Sequence, residues 1–189
     1  MAIPIDEIGF DFDGVIADTA EAFIRLACNE HQYCSFSQED ITNFELENCL
    51  DIPSNLVEKI FMDILHDSIG TGVQPLVGAV ESIEQFTTTS TVTIITARSL
   101  KQPVVDWLDL FFTRAAKEKI RVVITGDHND KIRHIQDHGL NYFIDDRAET
   151  CRQLAEDNIV PYVYTQPWNR NRHSLQTVAN WTEIRALVG

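Results

Sequence analysis

Residues 8–19 read Ile-Gly-Phe-Asp-Phe-Asp-Gly-Val-Ile-Ala-Asp-Thr. Ile8, Phe10 and Phe12 alternate with small or polar residues, the period-two pattern of a strand. Residues two apart in an extended chain point to the same side, roughly 6.5–7 Å apart. Asp11 and Asp13 are therefore expected to face one pocket from the end of one strand. Gly14 lets the chain turn sharply there. Two carboxylates held this close repel unless a cation or a shared proton intervenes. The stretch points to a hard cation, Mg²⁺ first. Taken alone, Asp-Phe-Asp-Gly also reads as a polar turn after a strand, so the rest of the chain has to decide.

Outward from this stretch, 18–31 reads as a helix that Asp18 or Thr19 can cap, with Ala22, Phe23, Leu26 and Ala27 on its apolar face. Residues 54–68 repeat the helical spacing through Leu56, Val57, Ile60, Phe61, Ile64 and Leu65. Gly70-Thr71-Gly72 breaks that pattern and reads as a hinge or linker. From Pro75 onward helices alternate with strands: helix 77–87, strand 91–96, helix 102–117, strand 120–125, helix 129–138, strand 141–144, helix 148–157, strand 160–165 and helix 182–188. The strand over 91–96, Thr-Val-Thr-Ile-Ile-Thr, is β-branched throughout, as a buried strand is. Strands spaced by helices imply crossover units and a parallel sheet. The predicted fold is α/β, a doubly wound parallel sheet of five strands, with a small helical insertion after the first. The predicted division is a core of 1–17 with 73–189 and a helical cap of 18–72.

A chain of 189 residues holds one well-filled core with a small insertion. No apolar run approaches the roughly 18 residues of a membrane span. The start, Met-Ala-Ile-Pro-Ile-Asp-Glu, lacks the features of a signal peptide, so a cytoplasmic protein is expected. The net charge of −14 repels nucleic acid and anionic lipid, and neither is expected as a partner. A small anionic substrate is compatible with it, because a local metal and a few cations override the global field. Cys28, Cys34, Cys49 and Cys151 show no Cys-x-x-Cys spacing. Reduced thiols are the simplest expectation, with a Cys28–Cys34 disulfide as the alternative.

Ligands of open parallel sheets bind beyond the carboxyl ends of the strands. Four polar stretches fall there: Asp11-Phe12-Asp13-Gly14-Val15, Ile94-Ile95-Thr96-Ala97-Arg98, the segment 126–131 ending in Lys131, and Phe143-Ile144-Asp145-Asp146-Arg147. In this order they resemble the four motifs of the haloacid dehalogenase-like superfamily of phosphotransferases. The resemblance implies Asp11 as nucleophile and Asp13 as general acid and base. It implies phosphate contacts from Thr96, Ala97, Arg98 and Lys131. It implies a Mg²⁺ shared by Asp11, the main-chain carbonyl of Asp13 and the Asp145–Asp146 pair, Asp146 being the direct ligand. Read without the resemblance, Thr96 and Asp145-Asp146 are candidate helix caps, and Lys131 a solvated first-turn residue. Arg98 and Arg147 read more simply as surface or supporting residues. His134 and His138, four apart, read more simply as a solvated helix face than as metal ligands.

The second aspartate argues against a dehalogenase and against the ion-pump branch of the superfamily. A helical insertion after the first motif is the arrangement called a type 1 cap. Closer still, Asp13-Gly14-Val15-Ile16-Ala17-Asp18, Thr96-Ala97-Arg98, Phe143–Arg147 and Thr165-Gln166-Pro167-Trp168-Asn169 resemble the C-type 5'(3')-deoxyribonucleotidases. Mammalian members place an aromatic shortly after the second aspartate to stack on the base; Thr19 stands near that place here. The Gln166–Asn169 stretch reads equally as a proline turn beside a packed indole and as a substrate contact. The resemblance implies a Mg²⁺-dependent phosphomonoesterase, HAD-type, acting through an aspartyl-phosphate on nucleoside monophosphates. The alternatives are a phosphatase for a sugar phosphate or phosphoglycolate, a phosphomutase, and a non-catalytic phosphate-binding protein. The expected partner is a small phosphorylated metabolite, and the expected state a monomer or homodimer.

Overall fold

The computed structural model describes residues 2–188. Its centre is β1 (Ile8–Phe10), flanked on one side by β2 (Val92–Thr96) and β3 (Ile120–Ile124). On the other side lie β4 (Tyr142–Asp145), β5 (Val160–Tyr164) and β6 (Thr177–Val178). The order is β3-β2-β1-β4-β5-β6, with every neighbouring pair parallel. The order reverses at β1, and such a switch point opens a crevice at the carboxyl edge of the sheet. Register then decides what meets there. Phe10 lies opposite both Ile94 and Ile144, and the Asp11 N–H donates to the Ile144 carbonyl at 2.8 Å. Asp11 is thus level with Asp145, and Thr96 lies one position further along on β2.

The sequence pattern predicts five strands, and the sheet has six. β6 is two residues long, too short to show a period. The helix predicted over 102–117 is two helices, α4 (Gln102–Phe111) and α5 (Arg114–Lys117). Thr113 turns the chain between them and caps the second, accepting from the Ala116 N–H. The other core helices are α3 (Ala79–Thr87), α6 (Lys131–Asp137), α7 (Ala148–Glu156) and α8 (Trp181–Leu187). Trp107 and Trp181 are wholly buried. Each indole finds an acceptor at 2.8 Å, the Val73 and Val15 carbonyls respectively, as a buried indole N–H requires.

Between β1 and α3 lies the helical insertion. α1 (Thr19–His31) starts at Asp18, whose carboxylate accepts from the Glu21 N–H at 3.2 Å. α2 (Ser54–His66) packs on α1 through Phe23 and Phe61, stacked with ring centroids 5.0 Å apart. The entering and returning segments pair through Asp18 N–H to the Gln74 carbonyl and Leu76 N–H to the Ile16 carbonyl, both 2.8 Å. Gly70-Thr71-Gly72 is tied to α1, because the Arg25 guanidinium donates to the Thr71 and Gly72 carbonyls at 2.9 and 3.0 Å.

Cys28 and Cys34 form a disulfide, and Cys49 and Cys151 are free. The expectation of four thiols is corrected. α1 ends at His31, and Gln32 takes a left-handed conformation with φ 65°. That turn folds the chain back until the two Cα atoms are 4.3 Å apart; on a continuing helix, six residues span about 9 Å. Among the described residues no helix is long and apolar enough to cross a membrane.

Candidate active site

Asp11 stands just beyond β1, nearly buried. One carboxylate oxygen accepts from the Phe12 N–H at 2.7 Å, and the other meets Lys131 Nζ at 2.9 Å. Lys131 begins α6 and is wholly buried, with Nζ 2.7 Å from Asp145 Oδ2. The alternative of a solvated lysine is thereby excluded. Asp145 turns its other oxygen to the Arg147 N–H at 2.8 Å. Asp146 follows, also buried. Oxygens of Asp11, Asp145 and Asp146 lie within 4.8 Å of one another.

One ammonium answers only one of these three carboxylates. Burial, reinforced by Asp145 and Asp13 and opposed by Lys131, raises Asp11 to about 7. Burial, with Asp145 and Asp11 beside it, pushes Asp146 well above the carboxylate range. Burial works against the charge on Lys131, but Asp11 and Asp145 outweigh it and hold the ammonium charged. The surplus negative charge and the all-oxygen donor set fit a hard divalent cation of the Mg²⁺ kind. Nitrogen or sulfur donors, which softer metals favour, are not in the cluster.

The loop after β5 supports Asp146. Trp168 Nε1 donates to Asp146 Oδ2 at 3.0 Å. Asn169 Nδ2 donates to the Asp146 and Tyr164 carbonyls at 2.7 and 2.8 Å. Gln166 Nε2 reaches the Gly14 carbonyl at 2.8 Å. Gly14 itself has φ 71°, and a Cβ there would sit 2.4 Å from Asp146 Oδ2. Only glycine admits both the turn and the neighbour.

Asp13 faces the same cavity with its side chain 28% exposed. Arg98 grips it with two nitrogens, Nε to Oδ2 at 2.8 Å and Nη2 to Oδ1 at 2.7 Å. The Thr19 hydroxyl also donates to Oδ1. Burial tends to raise this carboxyl, but the Arg98 guanidinium and its hydrogen bonds prevail and hold it below the usual range. Thr96 is buried at the end of β2, with its hydroxyl accepting from the Arg98 N–H at 3.3 Å. It turns its own loop and caps no helix, since α4 begins only at Gln102.

The cavity measures about 630 Å³. Its floor is Asp11, Asp13, Thr96, Ala97, Arg98 and Asp146; its roof, from the insertion, combines the apolar Phe23, Ile41, Phe44, Leu46 and Phe61 with Glu45, Glu47 and Glu58. At the mouth Phe44 lies under the Arg147 guanidinium (4.9 Å) and edge-on to His128 (5.8 Å). Burial, then Lys131 and Arg147, lower His128 to about 4, so it is neutral at pH 7. His134 and His138 stay outside the acidic cluster; the His138 ring bonds the His134 carbonyl at 2.8 Å.

Sequence reasoning missed the Arg98 grip on Asp13, the Trp168 bond to Asp146, and the pairing of His128 with Phe44. Trp168 had a signal in the Gln-Pro-Trp-Asn stretch. The other two join segments with no local pattern.

Known proteins share this architecture. The family described as "5' nucleotidase, deoxy (Pyrimidine), cytosolic type C protein" matches residues 4–188. The "Putative nucleotidase BH1399" of Halalkalibacterium halodurans is 28% identical over 189 residues, covering 95% of this chain and 91% of its own. A haloacid dehalogenase-like family hydrolase of Streptococcus pneumoniae superposes with TM-score 0.63 at 15% identity, covering 95% of this chain and 96% of that one. A HAD-superfamily hydrolase of Geobacter sulfurreducens gives 0.57 at 14% identity, covering 96% and 95%. These two likenesses speak to the fold.

Proposed function

This chain belongs to the cytosolic type C 5'-nucleotidase family within the haloacid dehalogenase-like hydrolases, and from that premise we propose a Mg²⁺-dependent phosphomonoesterase that cleaves nucleoside monophosphates through an aspartyl-phosphate on Asp11. The observation that carries this reading is the convergence of Asp11, Asp145 and Asp146 around Lys131, with Asp13 over the same cavity.

The ion would be held by Asp11, Asp146 and the main-chain carbonyl of Asp13, with Asp145 in support. It would supply positive charge against the phosphoryl oxygens. Asp11 attacks phosphorus, and the ester oxygen leaves with the bonding electrons. Asp13 gives that oxygen a proton, then takes one from the water that attacks the aspartyl-phosphate. Lys131 offsets the charge gathered between Asp11 and Asp145. Thr96 and the main-chain N–H groups that follow it, from Ala97 on, would contact the phosphoryl oxygens. Residues 18–72 act as a cap that excludes water and selects the leaving group. Such positioning and charge cancellation are most of what phosphoryl transfer asks of a protein. Phe61, partly exposed in the roof and backed by the buried Phe23, suits the flat face of a base.

Asp11→Asn keeps the side chain's size and removes the nucleophile. Turnover of p-nitrophenyl phosphate and of nucleoside monophosphates with Mg²⁺ is expected to fall below detection, with the fold intact. Activity within about tenfold of wild type rules Asp11 out. A panel of phosphomonoesters on which sugar phosphates match the nucleotides rules out the nucleotidase reading.

A further inference from the structure

Arg98 lies in the segment that resembles a phosphate-binding motif, yet its own contacts point elsewhere. Its side chain is 2% exposed. Nε and Nη2 bind the two oxygens of Asp13 at 2.8 and 2.7 Å. Nη1 donates to Ser68 Oγ at 2.6 Å, and the Ser68 hydroxyl donates to the Ile64 carbonyl at 3.0 Å. The guanidinium plane lies over the Phe12 ring at 4.9 Å. All three nitrogens are engaged, so the guanidinium is already committed although Arg98 lies in the cavity floor. A phosphate-binding arginine offers a free fork to the anion; this fork is spent on Asp13.

We propose that Arg98 is a positioning residue that holds Asp13 as the carboxylate base for hydrolysis of the aspartyl-phosphate, rather than a ligand of the substrate phosphate. The inference rests on the functional reading above. A bidentate guanidinium pair requires an ionised carboxylate. Oδ1 receives Arg98 Nη2 and the Thr19 hydroxyl, while Oδ2 receives Arg98 Nε alone. A carboxylate has about four acceptor sites, so Oδ2 keeps a lone pair for a proton. In the hydrolytic step water oxygen bonds to phosphorus as one water proton passes to Asp13 Oδ2. The bond between phosphorus and the Asp11 oxygen breaks, and its electrons return to the Asp11 carboxylate. Phosphate departs, and the proton on Asp13 remains for solvent or for the next leaving group. Ser68 follows the last turn of α2, so the same chain of bonds links the insertion to Asp13.

An aryl ester separates the two roles. The p-nitrophenolate group leaves with little protonation, so kcat/KM reports formation of the aspartyl-phosphate and kcat reports its hydrolysis. Arg98→Lys keeps the charge and loses the fork; Arg98→Met loses both. For each, kcat and KM for p-nitrophenyl phosphate are expected to fall together by about tenfold or more. kcat/KM should stay within about twofold, with a burst of p-nitrophenolate equal to the enzyme concentration. Ser68→Ala leaves Asp13 untouched and should show the same pattern more weakly, which covers the case in which an Arg98 variant folds poorly. A fall in kcat/KM of tenfold or more with rising KM, and no burst, overturns the inference in favour of a phosphate contact. Wild-type enzyme with no turnover at all defeats the functional reading and the inference with it.

Discussion

Trp168 donates its indole N–H to Oδ2 of Asp146 at 3.0 Å, across 22 residues of chain. The bond orients a carboxylate that is expected to face the metal. Trp168→Phe keeps the ring and removes the donor. Losing such a supporting partner commonly costs about 10–100-fold in metal affinity. The Mg²⁺ concentration for half-maximal activity is expected to rise by that order, at little cost in kcat under saturating Mg²⁺. An unchanged Mg²⁺ requirement defeats the assignment of Asp146 as a ligand.

Asp11 sets a pH dependence. Burial first, with Asp145 and Asp13 adding, raises its carboxyl to about 7, against about 3.9 in an unfolded chain. A raised carboxyl contributes stability that is fully present below about pH 4 and is lost as pH climbs through about 7. Asp13, held low by Arg98 against the pull of burial, has the opposite sign and matters in acid. The metal-free protein is therefore expected to lose thermal stability between about pH 4 and 8. Mg²⁺ requires the deprotonated ligands and should raise the unfolding midpoint more at pH 8 than at pH 5. Equal shifts at both pH values contradict the charge balance drawn for this site.

Phe61 stacks on Phe23 in the cavity roof. Base–aromatic stacking is worth about 1–3 kcal/mol. Phe61→Ala is expected to raise KM for nucleoside monophosphates about tenfold and to leave glycerol phosphate unchanged. A parallel loss on both substrates assigns Phe61 to the packing of the insertion alone.

Two of the four cysteines are joined. Thiol titration of the unfolded, unreduced protein should count two thiols, and four after dithiothreitol. A short closed loop of this kind stabilises by about 2 kcal/mol in the chain-entropy account. Replacing both Cys28 and Cys34 by Ser is expected to lower stability by about that much. Four thiols without reductant disprove the bridge.

Much of this fold is legible in the chain. Buried strands favour β-branched and aromatic residues, so 91–96 and 141–144 stand out by residue type alone. A carboxylate at the end of such a run is costly unless it has a task, which marks Asp11, Asp145 and Asp146. β6, at two residues, leaves no period to read. The break at Thr113 is hidden because both sides continue a helical pattern. The disulfide depends on a left-handed turn at Gln32, a residue type with no special preference for it.

The sequence by itself determined the α/β order, the helical insertion and the set of acidic residues at the strand ends. These follow from local periodicity and from the cost of burying charge, and each is written within a few residues. Only the tertiary structure decided how those charges are shared: Lys131 between Asp11 and Asp145, Arg98 on Asp13, Trp168 on Asp146. Charge pairing depends on distance in space and on burial. Arg98 and Asp13 are 85 residues apart in the chain, and only the pairing of β1 with β2 brings their side chains into contact.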